Sequence, residues 1–261
     1  MKIQLKTPAQ LELMRAAGIV VADALAAMRA AVAIGVSTAE LDTIASDVIR
    51  AAGATPSFLG YHGFPATICA SVNAEIVHGF PSTKPLRDGD IVSLDCGAIL
   101  DGWHGDAAIT VGVGDVAPEL TELMRVTEES MWRGIAAARA GGRLSDIGSA
   151  VETYVRGQGP YGIVAEYGGH GIGTEMHQDP HVLNHGRPGK GPELRVGMAL
   201  AIEPMVTLGR PQTEVLEDDW TVVTVDGSLA AHFEHSIAIT EAGPKVLTAA
   251  RDDERALTIS A

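Results

Sequence analysis

Two stretches of this chain repeat one pattern, and that duplication limits what it can fold into more than any other feature. GVSTAELDTIASDVIRAAG, from Gly35, aligns with GGRLSDIGSAVETYVRGQG, from Gly141. Glu40 then meets Asp146, Leu41 meets Ile147, Arg50 meets Arg156 and Gly53 meets Gly159. At nearly the same offset, LRDGDIVSLD from Leu86 aligns with LRVGMALAIE from Leu194, and both end in a carboxylate, Asp95 and Glu203. A third echo sets Trp103-His104-Gly105-Asp106 against Ala231-His232-Phe233-Glu234. Short apolar strands match by chance, but three matches in one order do not. The expected architecture is α/β: two related αβ halves, roughly 10–115 and 120–245, packed about a pseudo-twofold axis as one domain spanning 1–261.

Local signals support helices and strands in that arrangement. Thr7-Pro8-Ala9-Gln10 reads as a capped helix start, and Leu11, Met14, Val21, Leu25 and Met28 recur at helical spacing behind it. Ser37 and Glu40 form a second capping box, followed by Leu41, Ile44, Ala45, Val48 and Ile49 on one face. Pro118 opens a third helix that ends before Gly141-Gly142. Residues 91–95 and 108–111 read as strands.

Bulk properties exclude several function classes. With 261 residues, 46% hydrophobic and 20% charged, the chain suits a globular domain with a sizeable core. A net charge of −14 argues against a DNA-gripping basic face. Cys69 and Cys96 are too few for a disulfide framework, so reduced thiols are expected. The opening MKIQLKTPAQ has no apolar signal core, and no apolar run is long enough to cross a membrane. A cytoplasmic, soluble monomer is the expectation.

The duplication also carries chemistry. A twofold axis draws equivalent residues together, here Asp95 with Glu203 and Asp106 with Glu234. Four carboxylates in one small volume repel and raise one another's pKa values unless cations neutralise them. GGHGIGTEMH adds His170 and His177, and a mixed imidazole–carboxylate set suits borderline divalent metals better than calcium. Such a site performs metal-assisted hydrolysis. A lone Asp near a strand end is more often a turn former, and a lone His more often a satisfied polar residue, so spacing alone leaves both readings open. His62, His104, His181, His185 and His235 carry no such pattern of their own.

The blocks LGYHGFPATICASVNAEIVHGFP, SLDCGAILDGWHGDAAITV, YGGHGIGTEMHQDP, AIEPM and WTVVTVDGSLAAHFEHSIAIT, in that order, resemble the type I methionine aminopeptidases over essentially the whole chain. The resemblance implies the pita-bread fold, a central antiparallel sheet with helices outside. It implies two divalent ions per chain (Co, Mn, Fe, Zn or Ni) held by Asp95, Asp106, His170, Glu203 and Glu234, with Asp106 and Glu234 bridging. Attack of metal-activated hydroxide on the peptide carbonyl would then release an N-terminal methionine that precedes a small residue. Glu203 would shuttle the proton, His177 would stabilise the oxyanion and His78 would contact the leaving side of the amide. Tyr61, His62, Phe64, Cys69 and Trp220 would line the methionine pocket.

The implied partners are N-termini of nascent polypeptides, with transient ribosome contact and no DNA or membrane. By the small-residue rule a chain beginning Met1-Lys2 keeps its own methionine. Two positions depart from the family pattern. His232 stands where Gln is expected, and Gly97 where a hydroxyl or other side chain is common. Competing expectations are a proline-specific peptidase of the same fold and a non-catalytic binding module.

Overall fold

The structure is a computed structural model that describes residues 2–259; Met1 lies outside the described residues. The first two helices begin where their capping boxes predict. Helix α1, Pro8–Ala31, starts at Thr7, whose Oγ1 accepts the Gln10 N–H while Gln10 Oε1 accepts the Thr7 N–H. Helix α2, Thr38–Ala51, starts at Ser37, whose N–H donates to Glu40 Oε2 over 2.8 Å. Helix α3 runs Pro118–Ala137 and helix α4 Leu144–Gln158. At the start of α4, Asp146 Oδ2 accepts the Arg143 N–H over 2.7 Å and so repeats the role of Glu40.

The repeat recurs bond for bond. Gly35 N–H donates to Leu86 O and Leu86 N–H to Val36 O; Gly141 N–H donates to Leu194 O and Leu194 N–H to Gly142 O. Ser37 bridges Pro85 as Arg143 bridges Glu193.

A nine-stranded antiparallel sheet receives both halves. Its centre runs, strand by strand, Ile91–Leu100, Trp103–Gly112, Glu234–Thr240 and Ala199–Ile202. The repeat relates the outer two of these four strands to each other, and likewise the inner two. The pseudo-twofold axis therefore passes between Trp103–Gly112 and Glu234–Thr240, which pair at Glu234 with Ala108 and His235 with Ala107.

Alternation along the strands separates core from site. Leu94, Cys96 and Ala98 face α1 and α2 in one apolar cluster, and Leu200, Ile202 and Ile237 face α3 and α4 in another. Helix α1 reaches the sheet backbone to backbone. A Cβ on Gly105 would lie 2.8 Å from Gly18 Cα, so this crossing admits no side chain.

At the axis Ser236 Oγ accepts the Asp106 N–H over 3.1 Å and donates to Asp106 O over 2.8 Å. Ser236 is fully buried. Ser236→Ala leaves both Asp106 backbone groups without that partner. The expected cost is about 2 kcal/mol or more, read as a lowered urea midpoint at unchanged m-value.

One strand expectation needs correction. Residues 91–95 and 108–111 are fragments of two ten-residue strands, Ile91–Leu100 and Trp103–Gly112, so Asp95 and Asp106 lie inside strands and not at their ends. The two are joined by Asp101-Gly102, both at positive φ (50° and 78°), the conformation a tight right-twisted hairpin demands. Glu203 does follow the end of its strand, Ala199–Ile202.

Candidate metal centre and substrate cleft

Period two puts Asp95 on the sheet face opposite Leu94 and Cys96, and the same alternation turns Asp106, Glu203 and Glu234 away from the helices. All four carboxylates are buried, at 9%, 4%, 9% and 2% exposure in that order. His170, on the short strand Gly169–Gly171, joins them. Its Nδ1 lies 2.9 Å from Gly171 O, which leaves Nε2 pointing at the cluster, 3.6 Å from Glu203 Oε1. Donor atoms of Asp106, His170 and Glu234 lie within 4.8 Å of one another, as do those of Glu203, His232 and Glu234.

The electrostatics of this cluster are unbalanced. Burial, with Glu203 nearby, pushes Asp95 up to about 7. Burial and the neighbouring carboxylates hold Asp106 and Glu234 well above the ordinary range. Burial acts upward on Glu203 as well, but the imidazoles of His232 and His170 outweigh it and keep that carboxyl low. Asp95 Oδ1, Asp106 Oδ1 and Glu234 Oε1 are buried without a hydrogen-bond partner among the described residues. Unpaired, mutually repelling carboxylate oxygens converging with an imidazole nitrogen are a donor set that fits divalent cations.

Beside the cluster lies a cleft of about 660 Å³. Every residue expected at the site lines it: Asp95, Asp106, His170, Glu203 and Glu234 at one end, and Tyr61, His62, Phe64, Cys69, His78, His177 and Trp220 around the rest. Local structure explains how several are aimed. His62 and His78 both adopt positive φ, 46° and 61°, in tight turns after Tyr61 and after the strand Glu75–Val77. Asp218 pins the Trp220 turn by accepting the N–H groups of Trp220 and Thr221. Trp220 then stands edge-on to Phe64 at 5.1 Å and to His78 at 6.0 Å.

His177 lies at the exposed side of the cleft, its ring 4.3 Å from that of His170 and its Nδ1 2.8 Å from Tyr61 Oη. Burial and the nearby His170 lower its pKa to about 4, so it is neutral at pH 7. Burial also raises the Cys69 thiol well above its ordinary value, aided by Asp95 opposite it on the next strand, so no reactive thiolate faces the cleft.

The sequence reading missed Phe58, Val77 and Met176, which also line the cleft. Their signal was adjacency, since Val77 precedes His78 and Met176 precedes His177, but apolar residues in such positions look like any core. His232 is 1% exposed, and its Nε2 lies 3.6 Å from Glu203 Oε2. Its departure from the family pattern thus falls against the buried Glu203 carboxylate. Gly97 backs onto Ser57 and Phe58.

Buried carboxylates, three of them with an unpaired oxygen, converging with an imidazole beside an aromatic cleft, define a metallohydrolase-type centre. The comparisons with known proteins then fix the family. The model for metallopeptidase family M24 matches residues 12–241, and the chain belongs to that family. Methionine aminopeptidase 1 of Mycobacterium tuberculosis is 57% identical over 249 residues, covering 93% of this chain and 94% of that one. The crystal structure of methionine aminopeptidase from Rickettsia prowazekii superposes with a TM-score of 0.93 at 41% identity, over 95% of this chain and 100% of that one. Prolidase from Pyrococcus furiosus shares the fold at a TM-score of 0.75 and 22% identity, with this chain covering 65% of it.

Proposed function

We infer that this chain is a methionine aminopeptidase, which removes the N-terminal initiator methionine of new proteins when the second residue is small. The observation that carries the chemistry is the set of unpaired buried oxygens on Asp95, Asp106 and Glu234 facing His170 and Glu203. The specificity is supported by relatives named methionine aminopeptidase at 57% and 50% identity over nearly the whole chain. On this reading residues 1–261 are one catalytic domain.

Asp95, Asp106, His170, Glu203 and Glu234 would hold two divalent ions here. Bound there, they would polarise the scissile carbonyl and lower the pKa of a water beside it. The chain's own groups do the rest. Glu203, buried yet held ionised by its imidazole neighbours, takes a proton and passes it to the leaving amine. His177 is neutral and therefore a hydrogen-bond donor without a charge of its own to desolvate; it faces the carbonyl oxygen. His78, wedged edge-on between Trp220 and Tyr167, holds the amide on the leaving side. Phe58, Phe64, Cys69 and Met176 form an apolar cluster, packed by Tyr61 and Trp220, that suits a thioether.

The acidic chain, net charge −14, works in the cytosol as a monomer on nascent N-termini, with only transient ribosome contact. Among the described residues no helix is long and apolar enough to cross a membrane. The decisive test is activity of the chelated protein on Met-Ala-Ser, restored metal by metal, beside a panel of Xaa-Pro peptides. Release of methionine that depends on added Mn, Co, Fe, Zn or Ni is expected. Cleavage confined to Xaa-Pro would make it a proline-specific peptidase, and indifference to every metal would sink the hydrolase reading.

A further inference from the structure

The wall of the cleft at Phe58 rests on a glycine. Gly97 follows Asp95 by two residues on the strand Ile91–Leu100, so it shares the site face, and it pairs with Asp106 on the next strand. A Cβ at Gly97 would lie 2.8 Å from Phe58 Cε1, 2.8 Å from Ser57 Cβ and 3.1 Å from Ser57 Oγ. The first two separations are closer than carbons tolerate, so a side chain here must displace something.

Ser57 has little freedom to yield. Its N–H donates to Gly97 O over 2.9 Å, and its Oγ lies 3.0 Å from Nδ1 of the buried His104. Phe58 is the softer partner. Its ring packs edge-on to Phe64 at 6.5 Å, clusters with Cys69 and Met176, and borders the open cleft. An atom added behind it has one easy outlet, which is to push the ring into the cleft.

We propose that Gly97 and Phe58 are a matched pair that sets the depth of the methionine pocket: the missing side chain at 97 seats the Phe58 ring, and the ring ends the pocket at the reach of an unbranched thioether. Phe58 touches the substrate side chain, and Gly97 is a positioning residue that acts through it. The proposal rests on the methionine aminopeptidase reading, and its test separates the two.

Metal-loaded protein is assayed on Xaa-Ala-Ser, with Xaa as methionine, its one-methylene-longer analogue ethionine, or the shorter norvaline. Phe58→Ala deepens the pocket, so the ethionine-to-methionine ratio of kcat/KM rises about tenfold or more. Gly97→Ala pushes the ring inward. KM for Met-Ala-Ser then rises about tenfold with kcat within about twofold, while norvaline is affected less. Adding Phe58→Leu to Gly97→Ala restores most of the lost KM, a non-additivity that general destabilisation does not produce.

Thermal midpoints are measured alongside. If Gly97→Ala fails to fold, the Phe58→Ala and Phe58→Leu ratios still decide. Wild-type release of methionine together with an unmoved ethionine ratio in Phe58→Ala overturns the pair and leaves the function standing. No methionine release by wild type overturns both.

Discussion

Glu234→Gln is expected to lower kcat/KM by at least about a thousandfold while making the metal-free protein more stable. The two effects share one cause. Glu234 is 2% exposed, its Oε1 has no hydrogen-bond partner among the described residues, and it contributes to both groups of convergent donor atoms. On the proposed function Glu234 would act as part of a unit with the other donors, so its loss would cost about as much as losing the unit. Without cations, though, burial and then repulsion from Asp106, Glu203 and Asp95 disfavour its charge, which is why its pKa stands well above the ordinary range.

The pH dependence follows with a definite sign. In the unfolded chain Asp95 loses its proton near its ordinary value, whereas in the metal-free folded protein it holds the proton to about 7. Between those values the native state binds more protons, so stability falls as pH rises. Asp95 alone is worth a few kcal/mol across that window. Metal-free wild type should therefore melt lower at pH 8 than at pH 5. Divalent ions should remove the difference by binding only the folded state. Glu234→Gln should shrink it as well, with each kcal/mol recovered raising the midpoint by roughly 2–4 °C. Calorimetry with and without chelator measures all of this. A metal-free variant that melts below wild type at pH 8 would contradict the argument.

What the chain disclosed in advance was what local chemistry or duplication writes twice. The caps at Thr7 and Ser37 were legible because a capping box needs only residues three apart to agree. Asp95 and Glu203 were legible as a pair because each closes the same run, and the axis between Trp103–Gly112 and Glu234–Thr240 brings such equivalents together. Strand length was not legible. Gly97 and Gly105 interrupt the apolar alternation, so the strands read as stopping at Asp95 and starting at Ala108. Yet Asp101-Gly102 carried a hairpin signal that joins them, and weighing it above the glycines would have given the right ends. Phe58 and Met176 were invisible for a different reason. Their role depends on which wall they face, and that is decided by contacts with Gly97 and with Cys69, distant in the chain or on another strand. The same limit hid the approach of His232 to Glu203, which only the folded sheet creates.

His177→Ala should reduce kcat on Met-Ala-Ser by about a hundredfold to a thousandfold with KM changed far less, the range for removing one donor to a developing oxyanion. The argument begins with the tautomer. Tyr61 Oη lies 2.8 Å from His177 Nδ1, and burial together with Glu175 raises the Tyr61 pKa, so the phenol keeps its proton and can donate it to Nδ1. With Nδ1 accepting, the single proton of the neutral ring sits on Nε2, free to meet the substrate oxygen. Tyr61→Phe removes the orienting bond but leaves the ring, so about a tenfold loss in kcat is expected, smaller than for His177→Ala. In the double variant Tyr61→Phe adds little, because the group it orients is gone. Metal content by elemental analysis should stay at the wild-type value in all three, since neither residue belongs to the donor cluster. A His177→Ala protein that turns over like wild type, or one that loses its metal along with its activity, would show that His177 acts otherwise than on the oxyanion.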